Sequence, residues 1–290
     1  MVISPLAVVL ALVSNLGFGA AFVLTQHALR WTPPQLGAAF SIPTSALLFW
    51  CLAPFSIGPA EVDLRAAGLF GIVGVVFPAA VTMLNFESNR LLGPNVAGAV
   101  GGLAPLFAVL LAATLLGEQL RLWQLSGIVA IVAGVALMYL GRWQVFTARG
   151  LWLLALPLGA SAIRGFIQPV IKLGLERWHN PLAAVVIGYT VSSALLIPAI
   201  LMPGRIREQS FDHRGMLWFA AVGLCNGTAV LSMYAALGRG PVALVSPLIA
   251  TYPLVTLLLS FRFLRRERID ARLVAAVAMM VGGVVLVLIT

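Results

Sequence analysis

The chain has 290 residues, 61% of them hydrophobic and 9% charged, where a soluble domain carries about 25% charged residues. That composition excludes a water-soluble globular domain and points to an all-α integral membrane protein. The net charge of +9 does not signal a nucleic-acid binder, because the basic residues stand singly or in small groups between apolar runs, with no basic domain to hold them.

A helix needs about 20 apolar residues to cross about 30 Å of hydrocarbon. Ten such segments follow one another, at roughly 4–28, 35–55, 66–88, 94–116, 122–140, 150–173, 181–202, 214–237, 241–262 and 270–289. The first has no Lys or Arg ahead of it and is longer than the apolar core of a signal peptide, so it reads as a retained span. Turn and charge signals such as "RWTPPQ", "NRLLGPN" and "RRERIDAR" separate the segments. Cys51 and Cys225 lie far apart in apolar runs, without CxxC spacing, and read as buried, reduced packing residues.

The halves on either side of "GRWQVFTARG" resemble each other. Phe70 and Gly74 recur as Phe219 and Gly223, Gly93-Pro94 as Gly240-Pro241, Pro105 as Pro253, Glu118 as Glu267 and Gly134 as Gly283, at offsets of 147 to 149 residues. This divides the chain into five-helix repeats at 1–141 and 150–290. Because five is odd, the second repeat enters the membrane from the opposite side, and the repeats are inverted, as in secondary transporters whose substrate site lies near the midplane between them. Twelve Lys and Arg fall in the loops on one side (Arg30; Arg90; Arg142 and Arg149; Arg205, Arg207 and Arg214; Arg262, Arg265, Arg266, Arg268 and Arg272) and five on the other (Arg65, Arg121, Lys172, Arg177 and Arg239). The positive-inside rule then places both termini outside the cytoplasm.

The stretch "GPNVAGAVGGLAPLFAVLLAATLLGEQLRLWQLSGIVAIVAGVALM", residues 93–138, resembles the second part of an EamA domain of the drug/metabolite transporter superfamily: a mid-helix proline, an apolar run, Gly-Glu and a closing helix of small residues. Residues 240–288 repeat it more loosely, with "SFRFLRRE" before Glu267, and "GFGAAFVLTQHAL" at 17–29 resembles the opening helix, with Phe18 where tryptophan is common. The resemblance implies a carrier of small organic metabolites, amino acid-like or anionic, working by alternating access, often as an exporter in the bacterial inner membrane. It also implies a central cavity lined mainly by spans 1, 3, 4, 6, 8 and 9.

Polar groups inside spans are costly and mark candidate sites. Arg164, Gln168 and Lys172 stand at i, i+4 and i+8 in "GASAIRGFIQPVIKLG", on one helical stripe, interrupted by Pro169, which removes a backbone donor and can break the helix. Arg164 either snorkels to the interface or faces a cavity and binds a carboxylate, sulfonate or phosphate through its planar fork. On span 1, Asn15, Gly19, Phe22 and Gln26 share a face that reads either as a substrate contact or as a bridge between helices. His27, beside Arg30, reads as an interface residue. Asn85 and Glu87 end span 3, and Glu87 is either a proton carrier or the surface partner of Arg90. Asn226, Tyr189 and Tyr252 are pocket walls or packing, while Pro105 and Pro253 mark helix breaks suited to gating. Glu118 and Glu267 read as caps of the helices that follow them.

No hydrolytic or redox motif is present, and His27, His179 and His213 are scattered, so the sequence implies no enzyme, cofactor or metal. The expected partners are a small-molecule substrate and the lipid bilayer. Both repeats lie in one chain, so a monomer suffices. The competing reading is a non-transporting membrane protein of the same fold, acting as a lipid-binding or structural partner.

Overall fold

The computed structural model describes residues 3–58, 62–119, 121–139, 152–201, 212–264 and 271–288, and their regular elements are all helical. The 141–150 connection, Glu267, and Arg205, Arg207, Arg265, Arg266 and Arg268 lie outside the described residues. The first half contains α1 (Pro5–Ala28), α2 (Pro34–Leu52), α3 (Leu64–Val76), α4 (Ala79–Gly101), α5 (Ala104–Leu115) and α6 (Leu122–Tyr139). The second contains α7 (Ala155–Arg177), α8 (Pro181–Leu201), α9 (His213–Leu237), α10 (Val242–Ile249), α11 (Tyr252–Leu264) and α12 (Ala271–Leu288).

Among the described residues six stretches are long and apolar enough to cross a bilayer, and α6 and α12 add shorter apolar helices. The chain is a multi-pass membrane protein. One of the six, Leu64–Leu115, has 52 residues, far more than the roughly 20 that one crossing needs. Its direction changes inside α4 at Gly93, whose φ of 81° lies in a region open to glycine at no steric cost. Three of the expected segments are interrupted: the third at Phe77-Pro78, the fourth at Gly102-Leu103 and the ninth at Ala250-Thr251. Pro105 and Pro253 each stand second in the helix that follows such a break, where a missing N–H costs nothing. Pro169 does not act this way, because α7 runs uninterrupted through it. Cys51 is exposed rather than buried, and Cys225 is half-buried.

The packing of the two halves is related by a pseudo-two-fold axis. Where α1 packs on α9, α7 packs on α3 and α4; where α1 packs on α11, α7 packs on α5; and α2 pairs with α8 and α6 with α12. The correspondence holds residue by residue. Asp63 caps α3 and Asp212 caps α9. Ser45 Oγ donates to the Gly223 carbonyl at 2.7 Å as Ser192 Oγ donates to that of Gly74 at 2.5 Å. A Cβ on Gly19 would lie 2.5 Å from Val255, and one on Gly165 would lie 2.5 Å from Phe107. Outside the spans, the Ala66 N–H bond, followed by that from Arg65, holds the Asp63 carboxyl below the usual carboxylate range.

Helix α6 and its equivalent α12 run antiparallel. On α6 and α12, a Cβ on Gly127 would meet the Gly283 carbonyl at 2.7 Å, while one on Gly134 would meet that of Ala276 at 2.8 Å. Small residues let the backbones approach this closely where lipid offers no hydrophobic drive to associate. Leucine at Gly127 or Gly283 is expected to lower thermal unfolding in detergent by the equivalent of about 1–3 kcal/mol. Leucine at Gly68, with open space around it, should leave the midpoint unchanged or raised.

Candidate substrate site

Helix breaks leave backbone carbonyls without partners in a medium that has no water to supply them. Two of the breaks are served in the same way across the repeats. Asn15 Nδ2 on α1 donates to the Leu248 carbonyl at 3.2 Å and to Thr251 Oγ1. Ser161 Oγ, at the matching position of α7, donates to the Val100 carbonyl at 2.6 Å. Asn15 is therefore engaged at the α10–α11 break, the bridging alternative of the two readings, and lies outside the lining of the cavity beside Arg164.

With the two lead helices registered in this way, Phe18 and Arg164 fall at equivalent positions. They also touch: the guanidinium carbon of Arg164 lies 4.8 Å from the centre of the Phe18 ring and 5.7 Å from that of Tyr252. Tyr252 in turn stacks on Phe22 at 5.4 Å, with 12° between the rings. Arg164 is 6% exposed, so it does not snorkel. Among the described residues it forms no ion pair, and nothing accepts a hydrogen bond from its Nε or Nη1. Cation–π contacts are worth about 2 kcal/mol or more when desolvated, but they leave these donors unused.

Arg164 borders a cavity of about 30 Å³ between α1, the Phe77-Pro78 break, α4, α7, α8 and α9, room for about two waters. Phe22, Asn85, Tyr189 and Asn226 are among its lining residues. Three pairs of equivalent residues line it, Phe18 and Arg164, Phe77 and Asn226, and Val81 and Val230, which places the cavity on the pseudo-two-fold axis. In two of these pairs the first repeat supplies an aromatic ring and the second a polar group. The wall is thus chemically two-sided on a nearly symmetric frame.

Other expected residues lie elsewhere. Gln168 is buried, and its amide donates to the Arg164 carbonyl at 3.2 Å, while its Oε1 accepts nothing among the described residues. Gln26 lies outside the lining. Glu87 is held by Arg90 one turn on, with Nε at 3.0 Å, outside the cavity. Lys172 Nζ donates to the carbonyls of Leu237 and Gly240 at 3.2 and 3.0 Å, closing the end of α9. His27 meets Trp218 edge-on at 4.5 Å.

The sequence reading missed Phe18, Thr25, Thr82, Phe86 and Asn89 as lining residues. The positions 18, 21, 22 and 25 carry the i, i+3, i+4, i+7 spacing of one helical face, one step around α1 from the face chosen. Asn85 and Asn89 stand at i and i+4, but Asn89 sits in a run that reads as a turn. It is helical, and its amide donates to the Phe22 carbonyl at 2.9 Å. Among the described residues no three His, Cys, Asp or Glu side chains converge to hold a metal ion.

Glu118, expected to cap the helix that follows it, caps α10 in the other repeat. It is buried, and its two oxygens accept the N–H groups of Val242 and Ala243 at 2.9 and 2.8 Å. A helix of eight residues is marginal alone, and a carboxylate at its positive end stabilises it. Glu118→Ala should lower the thermal midpoint in detergent by the equivalent of about 2 kcal/mol, with Glu118→Gln retaining part of that.

The sequence profile of the EamA-like transporter family matches residues 5–140 and again 150–289. No curated protein matches the chain. Among solved structures, one crystal structure 18% identical in sequence has the same fold, with a TM-score of 0.78 over 97% of this chain and 95% of its own. With both halves covered by the one profile, the chain belongs to the EamA-like transporter family.

Proposed function

We propose that the chain is a ten-span carrier built from two inverted repeats, and that it moves small organic metabolites bearing an anionic group across the bacterial inner membrane by alternating access. Six long apolar stretches, one of them 52 residues long and turned back at Gly93, together with α6, α7 and α12, supply material for ten crossings. Antiparallel packing of α6 against its equivalent α12 supports the inversion. The direction we assign is export, as the family resemblance implies.

The observation that carries the substrate class is the buried guanidinium of Arg164, with Nε and Nη1 unclaimed beside the cavity. A carboxylate, amino acid-like or simple, can take both donors in a planar bidentate pair. Asn226 and Tyr189 offer further polar contacts, and Phe18, Phe22, Phe77 and Phe86 suit an apolar body. At about 30 Å³ the cavity is far below the roughly 300 Å³ of a small-molecule pocket, so substrate entry requires the helices to part. The breaks at Gly102-Leu103 and Ala250-Thr251 are the places for that bending. Glu118 and Lys172, which fix the 237–243 connector, act as a latch at one end.

Counterflow of labelled amino and organic acids into proteoliposomes tests the proposal. Saturable flux of at least one carboxylate is expected, falling at least a hundredfold in Arg164→Gln, as the loss of a buried charged pair worth about 3 kcal/mol requires. Inside-out vesicles should accumulate the substrate if export is the working direction. Unchanged flux in a folded Arg164→Gln protein would refute the assignment.

A further inference from the structure

A second concavity lies on the outside of the molecule, in the groove between α1, α9 and α11. It encloses about 380 Å³. Its long walls are Ala20, Val23 and Leu24 of α1 with Leu259 of α11, and His27, Arg30 and Trp218 close one end. We propose that this groove holds an acyl chain of an anionic phospholipid, with the headgroup phosphate on Arg30 and His27.

The dimensions fit one leaflet. From Ala20 to Arg30 a helix climbs about 15 Å at 1.5 Å per residue, half of the roughly 30 Å hydrocarbon thickness. The groove thus runs from near the bilayer midplane to the headgroup level, the depth of a single chain. The level of its closed end is marked by Trp218 and Trp31, each about one-third exposed, in the position of an interfacial aromatic belt. Trp218 holds His27 edge-on at 4.5 Å, leaving that imidazole at the groove's mouth.

The charge is complementary to phosphate. Arg30 is exposed, Arg214 lies over the Trp31 ring at 5.5 Å, and α11 carries Arg262 in its last turn. The nearby carboxylate of Asp212 is engaged by the α9 N-terminus through the Arg214 N–H. Arg30, Arg214 and Arg262 belong to the loops that the sequence count assigns to one side, the side that the positive-inside rule turns to the cytoplasm, whose leaflet is the anionic one; basic pockets between helices on that side suit anionic headgroups. An arginine fork pairs with a phosphate bidentately, while a zwitterionic headgroup keeps its own cation beside the phosphate and gains less. The lipid site stands apart from the cavity at the axis and does not depend on what the carrier moves.

Native mass spectrometry of the detergent-purified protein with equimolar phosphatidylglycerol and phosphatidylcholine tests it. The wild type is expected to retain phosphatidylglycerol preferentially, and Arg30→Gln to lower that retention about five-fold. Ala20→Phe, which fills the groove without altering its charges, should reduce retention of both lipids. Arg90→Gln removes a cation from the same end but outside the groove and should change nothing. Equal retention of the two lipids by the wild type would overturn the proposal. So would undiminished retention in Arg30→Gln, or a loss in Arg90→Gln as large as in Arg30→Gln.

Discussion

A guanidinium buried against two aromatic rings, with two of its nitrogens unclaimed among the described residues, sets the terms for the rest of this molecule. A charge at the centre of a membrane helix costs about 3 kcal/mol on insertion scales, and unmade hydrogen bonds to a buried charged group add to that. The Phe18 and Tyr252 rings return part of the cost through the cation–π contact. The rest persists because the surrounding helices hold Arg164 in place. Gly165, next to it, allows α7 to sit against Ala104 and Phe107 of α5 with no room for a side chain. Ser161, one turn before, is fixed to the Val100 carbonyl.

The pseudo-two-fold frame explains why this one position can be so different from its mate. Capping aspartates, serines that bridge helices and close-approach glycines occur in matched pairs across the two halves, and these pairs carry the architecture. On the axis itself the pairs diverge, Phe18 against Arg164 and Phe77 against Asn226. The matched positions are those that packing needs, while the lining at the axis differs between the repeats and is two-sided. An amphipathic anion matches such a wall better than a symmetric or wholly apolar solute does.

Much of this is legible in the sequence, and the parts that are not have identifiable causes. The repeat can be read because Gly-Pro pairs and Glu118 recur at nearly constant spacing, and the buried charge because Arg164 stands among residues suited to lipid. The breaks in the third, fourth and ninth segments are harder to see, since an apolar run looks the same whether its helix is continuous or divided, and Pro169 shows that an internal proline alone does not decide the matter. Asn15 illustrates a second limit: an amide in a span satisfies a distant carbonyl as readily as it meets a ligand, and only the fold shows that Leu248 needs it. Glu118 is a third case. The cap is predictable, but its client helix begins 124 residues later, beyond the reach of any local signal. The face of α1 that lines the cavity differs from the expected one by a single helical step, an error that periodicity cannot resolve among so many small and apolar residues.

Our proposal is that Arg164, whose Nε and Nη1 are unpaired among the described residues, takes a substrate anion as their partner. A ligand that binds the folded protein raises its thermal midpoint in proportion to its affinity, so the claim can be tested without transport. Thermal unfolding of the purified protein in detergent, with a series of small carboxylates each paired with its neutral amide, separates charge from shape. The account predicts that at least one carboxylate stabilises the wild type, that its amide does not, and that Arg164→Gln abolishes the difference. Equal stabilisation by acid and amide, or an acid effect that survives in Arg164→Gln, would contradict it.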